Sequence, residues 1–165
     1  MKTMKHTKPE FILKDLVKDT DLTISAAESC TGGMISHLIT TVPGSSNYYL
    51  GSVTSYSPLV KARVLGVSPS TITNEGIVSS AVASEMAEGV RALTGSSYSV
   101  STTGWADSYG DEREPAGTVW MAVSGPNGTV TRKFQNSACR TANIRAFANA
   151  ALQFLVEIIK QDSKE

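Results

Sequence analysis

Histidine is nearly missing from this chain: of 165 residues only His6 and His37 carry an imidazole. His6 stands in the polar opening stretch and His37 beside Leu38 on a helical pattern, so a Ser-His-Asp triad lacks a usable base. Cysteine is equally scarce. Cys30 and Cys139 are far apart and form no Cys-x-x-Cys pair, which points away from a zinc site and from a redox pair, and no other metal site is expected. Fifteen basic residues balance fifteen acidic ones. The electrostatic footprint of a nucleic-acid binder is therefore absent, and any anionic ligand must be held by local groups. No apolar run reaches the roughly twenty residues that a membrane span needs, and Met1-Lys2-Thr3-Met4-Lys5-His6 lacks the apolar core of a signal peptide. A cytoplasmic protein with no membrane partner is the expectation.

What is present is an apolar framework. With 41% hydrophobic and 18% charged residues, a chain of this length buries one sizeable core, so 1–165 reads as a single domain with short flexible tails at 1–8 and 161–165. Phe11, Ile12, Leu13, Leu16 and Val17 form a helical face after Pro9. Leu22-Thr23-Ile24-Ser25-Ala26 reads as a buried strand, and Met34, Ile35, Leu38 and Ile39 then recur at helical spacing. Pro43-Gly44-Ser45-Ser46 ends that helix, and the aromatic and β-branched run Tyr48 to Tyr56 predicts a second strand. Ser57-Pro58 suits an N-cap with proline in the first helical position, which places Lys61 one turn into a short helix closed by Gly66. Ser79-Ser80 starts another helix that ends at Gly95. Three further strands follow, over 98–103, 117–123 and 129–134, the last two joined across Gly125-Pro126-Asn127-Gly128 as a hairpin, and a long amphipathic helix runs from Thr141 to Lys160. Helices alternating with strands, and a late hairpin, predict an α/β layered fold with a mixed β-sheet flanked by helices.

The most informative stretch is Ala26-Ala27-Glu28-Ser29-Cys30-Thr31-Gly32-Gly33, where small and hydroxyl residues interrupt the first strand-to-helix junction. Ser29, Cys30 and Thr31 then fall near a helix N-terminus, a place that favours an anion, and Gly32-Gly33 would let a ligand approach the backbone. The polar loop Gly104 to Pro115 follows a strand end in the same way, so both segments are expected to converge at the carboxyl edge of the sheet. Without histidine, acyl chemistry needs a hydroxyl nucleophile activated by a desolvated lysine. Lys61 is that candidate. It lies five residues after Tyr56, while Ser45 and Ser46 sit in the loop feeding the same strand, and the residues alone do not choose between those two serines. No Gly-x-Gly-x-x-Gly follows the first strand, and Thr31-Gly32-Gly33 lacks the Gly-Lys-Ser/Thr ending of a P-loop, which argues against a dinucleotide cofactor and against ATP hydrolysis.

Taken together, Ala27-Glu28-Ser29-Cys30-Thr31-Gly32-Gly33, Pro43-Gly44-Ser45-Ser46, Val53-Thr54-Ser55-Tyr56-Ser57 with Lys61, Gly76-Ile77-Val78-Ser79 and Pro115-Ala116-Gly117-Thr118-Val119-Trp120 resemble the C-terminal domain of the competence-damage-inducible CinA family. Stand-alone members of that family are nicotinamide-nucleotide amidases. The resemblance implies hydrolysis of the carboxamide of nicotinamide mononucleotide, or a related pyridine nucleotide, to nicotinic acid mononucleotide and ammonia. It implies no cofactor, a small-molecule nucleotide as the partner, and a homo-oligomer, dimer or larger. Carried across by position, the nucleophile falls on Ser46, the base on Lys61 and an assisting tyrosine on Tyr56. Ser29, Thr31, Gly32 and Gly33 would line the pocket and hold the ligand phosphate, Gly104, Trp105 and Ala106 would supply another wall, and a ligand-binding arginine corresponds to Arg140 or Arg145. Thr103-Gly104-Trp105-Ala106-Asp107-Ser108 stands where the family has Thr-Gly-Ile-Ala-Gly-Pro, Ser57-Pro58 where it has Ser-Asn, and Ala138-Cys139-Arg140 where it has Gly-Asp-Arg. Loops that diverge while the catalytic groups remain fit an amidase, or alternatively an inactive relative that binds a nucleotide as a sensor.

Overall fold

Proline, serine and glycine punctuation sets the helix boundaries in the computed structural model, which describes residues 6–164. Helix α1 (Pro9–Val17) carries proline in its first turn, and α3 (Pro58–Leu65) starts from Ser57, whose hydroxyl accepts the Val60 N–H at 3.2 Å. Gly66, at φ 71°, closes α3 in the left-handed conformation. The other helices are α2 (Met34–Thr40), α4 (Pro69–Glu75), α5 (Ser80–Thr94) and α6 (Arg140–Asp162), with one 3-10 turn at Ser45–Asn47. Strands β1 (Ile24–Glu28), β2 (Tyr49–Thr54), β3 (Tyr98–Gly104), β4 (Thr118–Gly125) and β5 (Gly128–Gln135) form one mixed sheet in the order β2-β1-β3-β4-β5. β1 runs parallel to both neighbours, whereas β3, β4 and β5 pair antiparallel.

Helices cover both faces of the sheet. Leu13, Ile35, Ile39, Phe147, Leu152 and Leu155 from α1, α2 and α6 meet Ala26 and Val100 on one side, while Leu65, Val82, Met86 and Val90 from α3 and α5 meet Ala27 on the other. β1 is buried at every position, as a parallel strand covered on both faces must be. Because β1 lies between β2 and β3, the chain leaves it toward one side and returns to the other. The crevice for a ligand in such a sheet opens at the carboxyl ends of these strands.

Two differences from the sequence reading concern element boundaries. β1 is displaced two residues downstream of the predicted strand, which brings Ser29 to within one residue of its end. Among the predicted tails, residues 1–5 and 165 lie outside the described residues, whereas Gln161 and Asp162 remain helical, with the Tyr98 hydroxyl donating to the Asp162 carboxylate at 2.9 Å.

Gly89, in the middle of α5, lets α3 approach closely. An alanine Cβ there would lie 1.9 Å from the Leu65 carbonyl oxygen, which is backbone and cannot rotate away. Gly89→Ala is therefore expected to push α3 outward, at a cost of about 1–3 kcal/mol in stability as for other overpacked interiors. Denaturant titration of the variant against the parent reads that cost.

Candidate active site

Lys61 is the most unusual residue in the molecule. It is fully buried, yet among the described residues no carboxylate lies within ion-pair distance of its amine. Two oxygens hold it instead: Nζ donates to Ser29 Oγ at 2.8 Å and to the Ser55 carbonyl at 2.6 Å. Burial pushes the Lys61 amine down from 10.5 to about 8, because removing water disfavours the charged form. A lysine so placed reaches its neutral, proton-accepting state near physiological pH.

The local fold that creates this pair is simple. The Ser55 N–H bonds to the Glu28 carbonyl and the Ser29 N–H to the Thr102 carbonyl, so β1 is tied to both neighbours up to the point where Ser29 emerges. The chain then turns through Tyr56 and Ser57 into α3. That turn sends Lys61 back beneath the end of β1. Ser29 is 9% exposed and forms part of the wall of a cavity of about 210 Å³, so its hydroxyl bridges the buried amine and the ligand space. Cys30 lines the same cavity, but burial pushes its thiol up to about 12, leaving it protonated and a poor nucleophile.

The other walls come from the loop after β3 and from two neighbouring segments. Gly104, Trp105, Ala106 and Asp107 face Ile77 and Val78 across the cavity, with Tyr109, Tyr56 and Arg140 at its rim. The Thr103 hydroxyl fixes the Ile77 wall by donating to its carbonyl at 2.7 Å. Buried Asn143 fixes the opposite wall, donating to the Ala106 carbonyl at 2.9 Å and the Ala138 carbonyl at 3.0 Å. Arg140 reaches both the Tyr56 hydroxyl, at 2.8 Å, and the Asp107 carboxylate, at 3.3 Å. Tyr56 is 61% exposed and touches neither Ser29 nor Lys61 through a hydrogen bond among the described residues, so it stands at the rim, apart from the Ser29–Lys61 contact.

Several expectations change at this point. Ser46 is exposed in the 3-10 turn that precedes β2, whereas Lys61 and Tyr56 follow the other end of that strand. Six extended residues separate these ends by about 20 Å. Neither Ser46 nor its neighbour Ser45 lines the cavity, and the hydroxyl that meets Lys61 is that of Ser29.

Thr31, Gly32 and Gly33 do not line the cavity either. Thr31 turns inward and donates to Glu28 Oε1 at 2.6 Å, while Gly32 and Gly33, at φ 58° and 101°, serve the turn into α2. Buried Glu28 also accepts the Ile35 and Ser36 N–H groups, at 2.8 and 3.1 Å. An internal carboxylate thus takes the place at this short helix that the sequence reading gave to a ligand phosphate. Arg145 is exposed and absent from the cavity wall, because five residues turn it about 140° around α6 from Arg140.

Three contributors escaped the sequence reading: Glu28, Thr103 and Asn143. Only Asn143 left a usable signal, as a polar residue on the apolar face of α6 one turn before Phe147.

Comparison with known proteins agrees with this fold. The family described as the CinA C-terminal domain matches residues 6–159. A CinA-like protein of Salinibacter ruber is 46% identical over 145 residues, covering 87% of this chain and 35% of the relative. A CinA-like protein of Flavobacterium psychrophilum is 41% identical over 157 residues, covering 94% and 38%. The chain therefore spans little more than a third of the length of the curated relatives it matches. Among solved structures, competence damage-inducible protein A from Klebsiella pneumoniae superposes with a TM-score of 0.87 at 27% identity, covering 90% of this chain and 93% of that one. The competence/damage inducible protein of Agrobacterium tumefaciens gives 0.84 at 29% identity, covering 94% and 98%.

Proposed function

Because this chain belongs to the CinA C-terminal domain family, we propose that it is an amidase: it hydrolyses the carboxamide of nicotinamide mononucleotide or a related pyridine compound, with Ser29 as nucleophile and Lys61 as base. The observation that carries this reading is the 2.8 Å contact between a cavity-wall hydroxyl and a buried lysine that has no carboxylate partner among the described residues. That pairing supplies both parts of acyl transfer without histidine.

In the first step neutral Lys61 takes the Ser29 proton as Oγ bonds to the carboxamide carbon. The resulting ammonium then gives that proton to the departing nitrogen as the C–N bond breaks, which leaves ammonia and an ester on Ser29. Water is deprotonated by Lys61 in turn, attacks the ester carbon, and releases the carboxylic acid with Ser29 restored. The Ser55 carbonyl, which accepts from Nζ at 2.6 Å, keeps the amine aimed at Ser29 through both transfers. The N–H groups of Cys30 and Thr31, the two residues after Ser29, have no oxygen acceptor among the described residues and are the donors we assign to the developing oxyanion.

Trp105 supports a planar substrate. It is half-buried on the cavity wall, and its ring lies 6.3 Å from that of Tyr109 at an interplanar angle of 46°. Trp105→Ala should weaken ligand binding by about 1–3 kcal/mol, the range for stacking a base on an aromatic ring, as read by calorimetry. A large loss of stability with unchanged affinity would instead make Trp105 a packing residue.

The proposal is tested by following ammonia release from a panel of pyridine carboxamides, with binding followed in parallel by thermal shift. Release from at least one of them is expected. Stabilisation of the protein by a ligand that releases no ammonia would replace the amidase reading with that of a nucleotide-binding sensor.

A further inference from the structure

The cavity wall carries an arginine and an aspartate, Arg140 and Asp107, side chains of opposite sign. Their atoms meet at 3.3 Å, and Arg140 directs its other terminal nitrogen to the Tyr56 hydroxyl at 2.8 Å. Arg140 is thus occupied on both sides. A phosphate monoester entering this rim would have to displace the Asp107 carboxylate from Arg140 or lie beside it, and a like charge at that range opposes binding. Lys61 lies beneath Ser29 and outside the wall, at the carboxamide end of the site, so it offers the tail of the ligand no second cation.

The same features suit a ligand with a positively charged ring. Trp105 and Tyr109 contribute aromatic rings to the wall, and a desolvated cation is attracted to the face of such a ring. An N-ribosylated pyridinium carries its charge in the ring itself. The cavity, at about 210 Å³, is also smaller than the roughly 300–1,000 Å³ typical of sites for drug-sized ligands. We propose that this site selects the N-ribosylated pyridinium carboxamide that lacks a phosphate, and that Asp107, by neutralising Arg140, is the residue that sets this choice. The inference rests on the amidase reading of the same site.

Asp107 is placed for this role by local bonds that leave its orientation well defined. Oδ1 accepts the Ser108 N–H at 2.9 Å, so Oδ2 is the atom turned toward Arg140. The preceding residue is anchored by Asn143 through its carbonyl.

The test compares nicotinamide riboside with nicotinamide mononucleotide on the parent chain and on Asp107→Asn. Ammonia release gives kcat/KM, and calorimetry on Ser29→Ala, with and without Asp107→Asn, gives affinities that do not depend on turnover. The parent should favour the riboside, and Asp107→Asn should shift the ratio toward the mononucleotide by tenfold or more in both readouts. Asp107→Ser repeats the measurement should the asparagine variant fold poorly. A parent that favours the mononucleotide or treats the two alike, or a ratio unmoved by the substitution, overturns the selection by Asp107 while leaving the amidase reading intact. Absence of ammonia from both compounds removes the amidase reading, and the affinity ratios then still decide whether Asp107 discriminates against the phosphate.

Discussion

Lys61→Met is expected to lower kcat by about 10²–10⁴-fold, the usual contribution of a positioned proton acceptor, while the protein stays folded. Methionine keeps the length and apolar stem of the buried side chain but has no proton to accept or return. KM should change far less, since the amine acts on the transition state rather than on the bound ground state. The pH profile supplies the second half of this prediction. With a folded value of about 8, Lys61 is mostly protonated at pH 7, so kcat/KM for the parent should rise with pH and level off above about 8. Methionine should abolish that limb.

Stability runs in the same direction for a related reason. Between about 8 and the ordinary 10.5, the unfolded chain still binds a proton that folded Lys61 has released, so the parent gains stability as pH rises through this window. Below it the charged amine is buried without a carboxylate partner at full cost. Lys61→Met removes that cost, and its melting temperature at neutral pH should equal or exceed that of the parent. A variant that is inactive and no less stable marks a residue kept for chemistry. One that is inactive and unfolded would leave the role of Lys61 structural.

Ser29→Ala against Ser46→Ala is the second large contrast. Ser29 touches Lys61 and faces the cavity, so its loss should lower kcat by at least about 10³-fold, as the loss of a nucleophile does elsewhere. Ser46 is exposed beyond the far end of β2, and Ser46→Ala should turn over substrate within about twofold of the parent, surface substitutions being nearly neutral. Steady-state ammonia release on the two variants separates these assignments directly.

The sequence carried the strands and most helices because their signals are local. Ser57-Pro58 and Gly66 bracket α3, and this alone put Lys61 on a helix close to a strand end. Helix α4 carries the same brackets, Ser68-Pro69 and Gly76, but Pro-Ser-Thr-Ile-Thr-Asn-Glu has no apolar period between them, and none of its residues is buried. The proposed nucleophile was harder for a different reason. Ser29 and Ser46 both lie in loops next to strands, and spacing along the chain does not tell which end of a strand a loop occupies. Only the parallel pairing of β1 with β2 puts the residue after β1 beside the residues after β2, and leaves the turn before β2 at the opposite edge. Arg140 and Arg145 posed the same kind of question about direction around a helix, which the packing of α6 decides. Glu28 was legible as a residue but not as a role, since its partners at Ile35 and Ser36 depend on how tightly the turn at Gly32-Gly33 folds back.

The most direct test of the Ser29–Lys61 account is the intact mass and peptide map of enzyme quenched within milliseconds of mixing with a reactive pyridine ester or carboxamide. An acyl group is expected on the peptide containing Ser29, absent from Ser29→Ala and still present in Ser46→Ala. An acyl group on Ser46, or turnover that survives Ser29→Ala, would contradict it.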